Sequence, residues 1–233
     1  MDCDCVDESA TKPEHSGVTE IIFVRHGETI CNAAGIFQGQ SESELNELGW
    51  RQANAVAERL AKEPKISALY SSDLKRALDT ATTIGQKCGL QVISNPAWRE
   101  RHLGKLQGLS RREAPLLEPL AFQGFVSHNK DQVIPGEGES INQLYLRSKS
   151  ALEEITNNHR GERVIVVTHG GVLRALWKFV GERSLPGKVL NTSINVIRRY
   201  ENGSWAVPCW GDTSHLNGVG FLSSGFGGDS QSG

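Results

Sequence analysis

Two short runs of uninterrupted apolar residues, Ile21-Ile22-Phe23-Val24 and Val164-Ile165-Val166-Val167, have no polar position to turn towards water. Strands covered on both faces have that pattern. Each run stops at a polar His-Gly pair, Arg25-His26-Gly27 after the first and Thr168-His169-Gly170 after the second. Ser67-Ala68-Leu69-Tyr70, ending in Ser71-Ser72, predicts a third strand, and Leu90–Ile93 and Ile194–Arg199 predict two more. Helical spacing fills the gaps. Leu48, Ala53, Val56, Ala57 and Leu60 form one stripe, and Leu74, Ala77, Ala81 and Ile84 form another. A third helix begins at a capping box, Ser140-x-x-Gln143, and a fourth spans Val172 to Val180. Ser72 or Asp73 is expected to cap the second helix. Strands alternating with helices of this length predict an α/β layer fold with a mostly parallel sheet. Ligands of such sheets sit beyond the carboxyl ends of the strands, where both His-Gly pairs and Ser71-Ser72 fall.

The chain has 233 residues, enough for a sizeable core, and no internal repeat or long linker. Residues 1–18 read as a disordered acidic tail and residues 223–233 as a flexible Gly/Ser tail, leaving 19–222 as the folded domain. With 38% hydrophobic and 22% charged residues, the composition is that of a soluble globular protein. A net charge of −2 lacks the basic excess of a nucleic-acid binder, so no nucleic-acid partner is expected. No run approaches the ~18 apolar residues of a membrane span. The N-terminus has neither the apolar core of a secretory signal nor the arginines of a transit peptide, so cytoplasm is the expected location. Five scattered cysteines make a poor disulfide framework. Cys3-Asp4-Cys5 has no partner at metal-ligand spacing.

Five stretches carry candidate chemistry. In Arg25-His26-Gly27-Glu28-Thr29, with Asn32 just beyond, a strand-end His offers a ring nitrogen as nucleophile. Arg25 beside it offers a planar fork for phosphate oxygens, and Thr29 and Asn32 further hydrogen bonds. Thr168-His169-Gly170-Gly171 brings an imidazole and a helix start to the same edge, a setting suited to an oxyanion. Arg76, in Ser71-Ser72-Asp73-Leu74-Lys75-Arg76-Ala77, stands near a helix start and reaches that edge, unless it is a solvated surface Arg. Glu100, within Trp98-Arg99-Glu100-Arg101-His102, is placed to give a proton to a leaving alkoxide, or else belongs to a surface charge cluster. Pro135-Gly136-Glu137-Gly138-Glu139-Ser140 reads first as a structural turn and second as a rim of the substrate mouth.

These stretches, in this order over residues 19–222, resemble the histidine phosphatase superfamily, also called phosphoglycerate mutase-like. The resemblance implies a three-layer α/β/α fold and a catalytic domain over those residues. It implies that His26 accepts the phosphoryl group, that Arg25, Arg76 and His169 form the phosphate pocket with Asn32 and Gly170 nearby, and that Glu100 is the proton donor. It implies a small phosphorylated metabolite as partner and no metal or other cofactor.

The family contains both phosphatases and mutases. Glu100-Arg101-His102-x-Gly104 is similar to the mutase branch, with Leu103 in place of its usual Tyr, and Arg111 falls where mutases carry a substrate-binding Lys. Arg101 and Arg111 are therefore candidate specificity residues. Against this, Gln38-Gly39-Gln40 resembles the phosphatase branch, which adds Gln38 and Gly39 to the candidate phosphate site with Thr29. The mutases' Arg-Arg pair has no counterpart in Leu116–Phe125, and Gly170-Gly171 stands where mutases have Gly-Asn-Ser. The expectation is a phosphatase, with a cofactor-dependent phosphoglycerate mutase as the alternative. A catalytically inactive phosphate-binding module is a further alternative, but it would be marked by loss of the nucleophile or pocket arginines, and none is lost. A nucleotide-binding P-loop motif is absent. Arg99, Arg101, His102, Lys105, Arg111 and Arg112 read either as a basic patch for a second anionic group or as a solvated loop.

Overall fold

The computed structural model describes residues 17–181 and 188–220. The two expected tails lie outside these residues except for Gly17 and Val18, which lead into the first strand. Among the described residues, six strands form one sheet: β1 (Val18–Arg25), β2 (Ile66–Ser71), β3 (Val92–Ser94), β4 (Arg163–Thr168), β5 (Ile194–Tyr200) and β6 (Trp205–Asp212), in the order β3-β2-β4-β1-β5-β6. The pairs β3/β2, β2/β4 and β4/β1 are parallel, and β5 and β6 add antiparallel. The helices are α1 (Ile30–Ala34), α2 (Glu47–Leu60), α3 (Lys75–Cys88), α4 (Ala114–Leu117), α5 (Pro119–Val126), α6 (Ile141–Asn158) and α7 (Gly170–Val180).

Alternate residues of the two apolar runs serve opposite faces, which makes three layers. Ile21, Phe23, Val164 and Val166 pack against Leu144, Leu152 and Ile155 of α6 and Val172, Leu173 and Leu176 of α7. Ile22, Val24, Ile165 and Val167 pack against Val56, Ala57 and Leu60 of α2 and Ala77, Ala81 and Ile84 of α3. Burial on both faces is why neither run alternates.

The capping box of α6 forms as expected, with Ser140 Oγ accepting from Gln143 N–H and Gln143 Oε1 accepting from Ser140 N–H. The start of α3 differs. The helix begins at Lys75 with Leu74 as its N-cap residue and no side-chain cap bond. Ser72 Oγ accepts from Leu74 N–H at 3.3 Å, and Asp73 is drawn away by a bidentate pair with Arg99. Strand β6 was not anticipated, because Pro208 and Gly211 interrupt its pattern; an edge strand tolerates such residues. A third, smaller core joins Phe37, Leu103 and Leu106 to Ala114, Ala121, Phe125 and Ile134, so that α4 and α5 pack against the segments flanking Gln38 and Glu100. After β6, Leu216 is buried and the Gly220 carbonyl accepts from Gln52 of α2 at 3.2 Å, which holds this segment alongside α2. No described helix is long and apolar enough to cross a membrane.

Candidate active site

His26 follows the last residue of β1, and its backbone N–H donates to the Thr168 carbonyl at 2.9 Å, so the ends of β1 and β4 are tied together. The chain then turns tightly onto α2. A Cβ on Gly27 would lie 2.6 Å from the Gly49 carbonyl oxygen, so the close approach requires glycine there. Gly27 N–H donates to Thr80 Oγ1 (3.0 Å) and Glu28 N–H to Gln52 Oε1 (2.9 Å), which anchors the turn to α3 and α2.

The His26 ring is buried and its Nδ1 lies 2.7 Å from the Gly27 carbonyl oxygen. A carbonyl only accepts, so Nδ1 carries the proton and Nε2 the lone pair. Burial, with the positive charges of Arg76 and Arg25, holds the His26 pKa well below the ordinary imidazole value and outweighs the bond to Gly27. His26 is therefore neutral at neutral pH and presents an unprotonated Nε2.

Around it stand cations and an unsatisfied imidazole. The His169 ring centroid is 5.1 Å from that of His26. His169 is fully buried, and neither ring nitrogen has a hydrogen-bond partner among the described residues. Buried polar groups are normally paired, so such an orphan marks a surface built to meet a ligand. Burial first, then Arg76, His26 and Arg25, pushes its pKa down as well. Arg76 is almost wholly buried; Nη2 donates to the Gly39 carbonyl (2.6 Å) and Nη1 to the Ser41 carbonyl (3.0 Å), while Nε has no partner among the described residues. Burial lowers its pKa to about 10, with Glu100 and Glu42 opposing, so the charge persists at neutral pH. Arg25 is buried and donates to the Val189 carbonyl at 2.7 Å.

The other candidates divide between this centre and its scaffold. Thr29 caps α1 and bonds to Asn32 and to Gln38 Oε1 (2.9 Å), so Thr29, Asn32 and Gln38 form one buried cluster. Gly39, at φ +53°, supplies the carbonyl that holds Arg76. Gly170 opens α7 immediately after His169. Glu100 Oε2 accepts from Gly171 N–H (3.0 Å) and Oε1 from Arg101 N–H (2.8 Å), which brings the carboxylate to the start of α7 beside His169. Arg101 is buried, with Nη1 unpartnered among the described residues. Arg111 is half-buried, next to the Ser110 that bridges to Ile36.

The basic patch does not hold together as a unit. Arg99 is paired with Asp73, Lys105 lies 3.8 Å from Glu118, and His102 Nδ1 accepts from Gly104 N–H. Asp73 and Glu118 come from other parts of the chain, so Arg99 and Lys105 are paired with carboxylates rather than joined in one patch. Sequence reasoning also missed the turn Asn191-Thr192-Ser193 ahead of β5. Asn191 Nδ2 donates to the His26 carbonyl (2.9 Å) and reaches Asn32 Oδ1 (3.4 Å), while Thr192 N–H donates to the Arg25 carbonyl (3.0 Å). Thr192 has φ +54°, a conformation that costs a β-branched residue about 1–3 kcal/mol and persists only where its surroundings enforce it. Three turn-forming residues before a strand were the only available signal. Among the described residues no three His, Cys, Asp or Glu side chains form a metal-ligating group.

Residues 21–213 match the family described as the histidine phosphatase superfamily (branch 1). The chain is 54% identical to a metal-independent phosphoserine phosphatase of Arabidopsis thaliana, over 93% of this chain and 91% of that one. It is 50% identical to phosphoglycerate mutase-like protein 4 of the same plant, over 98% of this chain and 100% of the relative. Among solved structures it is similar to a mycobacterial glucosyl-3-phosphoglycerate phosphatase, with TM-score 0.71 and 30% identity over 84% of this chain and 100% of that one.

Proposed function

The chain belongs to the histidine phosphatase superfamily, and we propose that it is a metal-independent phosphatase that hydrolyses small phosphate monoesters through a phosphohistidine on His26. The observation that carries this reading is the neutral His26, its Nδ1 proton committed to Gly27 and its Nε2 lone pair set among Arg25, Arg76 and His169. In the first step Nε2 forms a bond to phosphorus as the ester P–O bond breaks, and Glu100, in its acid form, gives its proton to the leaving oxygen. In the second step the Glu100 carboxylate takes a proton from water, the water oxygen bonds to phosphorus, and the N–P bond breaks. Arg25 and Arg76 neutralise the transferring group and the neutral His169 donates a ring N–H to it, with Asn32 and the Gly170 backbone beside them. Thr29, Gln38 and Gly39 hold this set in place. Arg101 lies next to Glu100 with a buried Nη1 that has no partner among the described residues, a placement suited to a carboxylate on the substrate. Similarity to a phosphoserine phosphatase makes phosphoserine the first substrate to test.

The test is a panel of phosphoserine, phosphoglycerates, sugar phosphates and nucleoside monophosphates, scored for phosphate release and for 3- to 2-phosphoglycerate conversion. Phosphate release unchanged by EDTA is expected. Dominant isomerisation would overturn the phosphatase reading in favour of the mutase alternative, and EDTA sensitivity would overturn metal independence.

Gly171 offers a narrower check. A Cβ there would overlap Glu100 Oε1, the far end of a flexible side chain, so Gly171→Ala is expected to fold and to displace the proton donor. Hydrolysis of alkyl phosphates should fall about 10–100-fold, less than the full contribution of a general acid because the donor is displaced and not removed, with p-nitrophenyl phosphate much less affected. Unchanged kcat/KM on both substrates would show that Glu100 does not act from this position.

A further inference from the structure

The segment that carries Glu100 runs from the 3₁₀ turn Pro96–Trp98 to the next at Gly104–Leu106 and contains no regular element. A proton donor on such a segment needs its backbone fixed from outside. Arg147, in the second turn of α6, does this. Its Nη1 donates to the carbonyls of Ala97 (2.9 Å) and Arg99 (2.8 Å), and its Nη2 reaches the Glu100 carbonyl at 3.4 Å. The same guanidinium grips Glu139 through Nε (3.0 Å) and Nη2 (2.8 Å).

Glu139 completes the clamp from the other side. Its Oε2 accepts from His102 N–H (2.9 Å), its N–H donates to the His102 carbonyl (2.8 Å), and its carbonyl accepts from Arg101 Nε (3.0 Å). The pair therefore holds backbone groups of residues 97, 99 and 100 on one flank of Glu100 and residue 102 on the other. We propose that Arg147 and Glu139 are positioning residues that keep the Glu100 carboxylate at the leaving oxygen; this rests on the reading of Glu100 as proton donor.

The contacts distinguish this role from general support of the fold. Helix α6 packs on the sheet through Leu144, Ala151, Leu152 and Ile155, whereas Arg147 spends its donors on the Glu100 segment and on Glu139. The pair is mostly buried, with side-chain accessibilities of 23% and 19%, and bidentate, so it also supports the fold, and only a readout that depends on the leaving group isolates its effect on Glu100. Lysine cannot replace the arginine, because the three donors of one ammonium cannot reach the carbonyls of Ala97, Arg99 and Glu100 together with both Glu139 oxygens, as the planar fork does.

The experiment compares kcat/KM on phosphoserine, whose alkoxide leaves poorly, with kcat/KM on p-nitrophenyl phosphate, whose leaving group needs no proton. This ratio reports the phosphorylation step. Arg147→Met, Arg147→Lys and Glu139→Gln are each expected to lower the phosphoserine value about 30–100-fold and the nitrophenyl value less than about threefold. In a Glu100→Gln background, Arg147→Met should add less than about threefold on phosphoserine, because the donor it positions is already gone. Equal losses on both substrates, no loss on phosphoserine, or an undiminished loss in the Glu100→Gln background would each overturn the proposal. If Arg147→Met does not fold, Arg147→Lys decides by the same ratio. Glu100→Gln alone separates the two levels: without leaving-group dependence in that variant the proton-donor reading fails, and the positioning role fails with it.

Discussion

Replacing His26 with alanine is expected to lower hydrolysis by at least about 10⁴-fold, the scale on which removal of an enzyme's nucleophile acts. No neighbour can take over. His169 is the nearest imidazole, but its ring is fixed by its place between β4 and α7, with its centroid 5.1 Å from that of His26. Water would have to attack in place of Nε2, in a pocket shaped around the ring that alanine removes. The fold should survive, because the imidazole's only described hydrogen bond is the local one to Gly27. The check is steady-state phosphate release together with quenched labelling by a 32P-substrate. The parent should show an acid-labile, alkali-stable phosphoenzyme, and His26→Ala should show none. A variant that keeps parental turnover, or that still labels, would remove His26 from the reaction.

The strand ends that bring His26 and His169 together were legible because burial on both faces leaves an uninterrupted apolar run, and the polar residue that ends such a run must lie at the sheet edge. The helix stripes were legible for the matching reason, since each faces one side of that sheet. What could not be read depends on contacts between residues far apart in sequence. Asn191 meets His26 across 165 positions, and its own neighbourhood shows only turn-forming residues. Asp73 has the local signature of a helix cap, but Arg99, 26 residues later, competes for its carboxylate and wins with two charge-assisted bonds. The basic run from Arg99 to Arg112 left a second anion site and a solvated loop both open, because Asp73 and Glu118, which pair with Arg99 and Lys105, come from other parts of the chain. Glu139, in a loop that read as a turn, proves to be bonded to the segment carrying Glu100. Local pattern therefore placed the two histidines at the sheet edge, while the contacts of Asn191, Arg99 and Glu139 emerged only from the packing.

Arg76→Met should lower kcat/KM by about 10³-fold, the lower part of the range for an arginine that neutralises a transferring phosphoryl group. Part of that loss is indirect, because the carbonyls of Gly39 and Ser41 lose their donors and the loop between them loosens. The pH profile separates the two contributions. Hydrolysis needs neutral His26, and the Arg76 charge helps to depress the His26 pKa, second only to burial. Removing that charge raises the pKa, so protonated, inactive His26 accumulates at a higher pH than in the parent. The acid limb of kcat/KM, which reports the free enzyme, is therefore expected to move upward. Comparing both proteins on one substrate cancels ionisation of the phosphate itself. A loosened loop that leaves His26 buried lowers the whole profile without moving its limb, and loss of a charge does both. A thousandfold loss with an unmoved acid limb would assign Arg76 to holding the loop. A loss below tenfold would place it outside the phosphate pocket altogether. With His26 still buried, an upward shift is what loss of a cation acting directly on the ring produces.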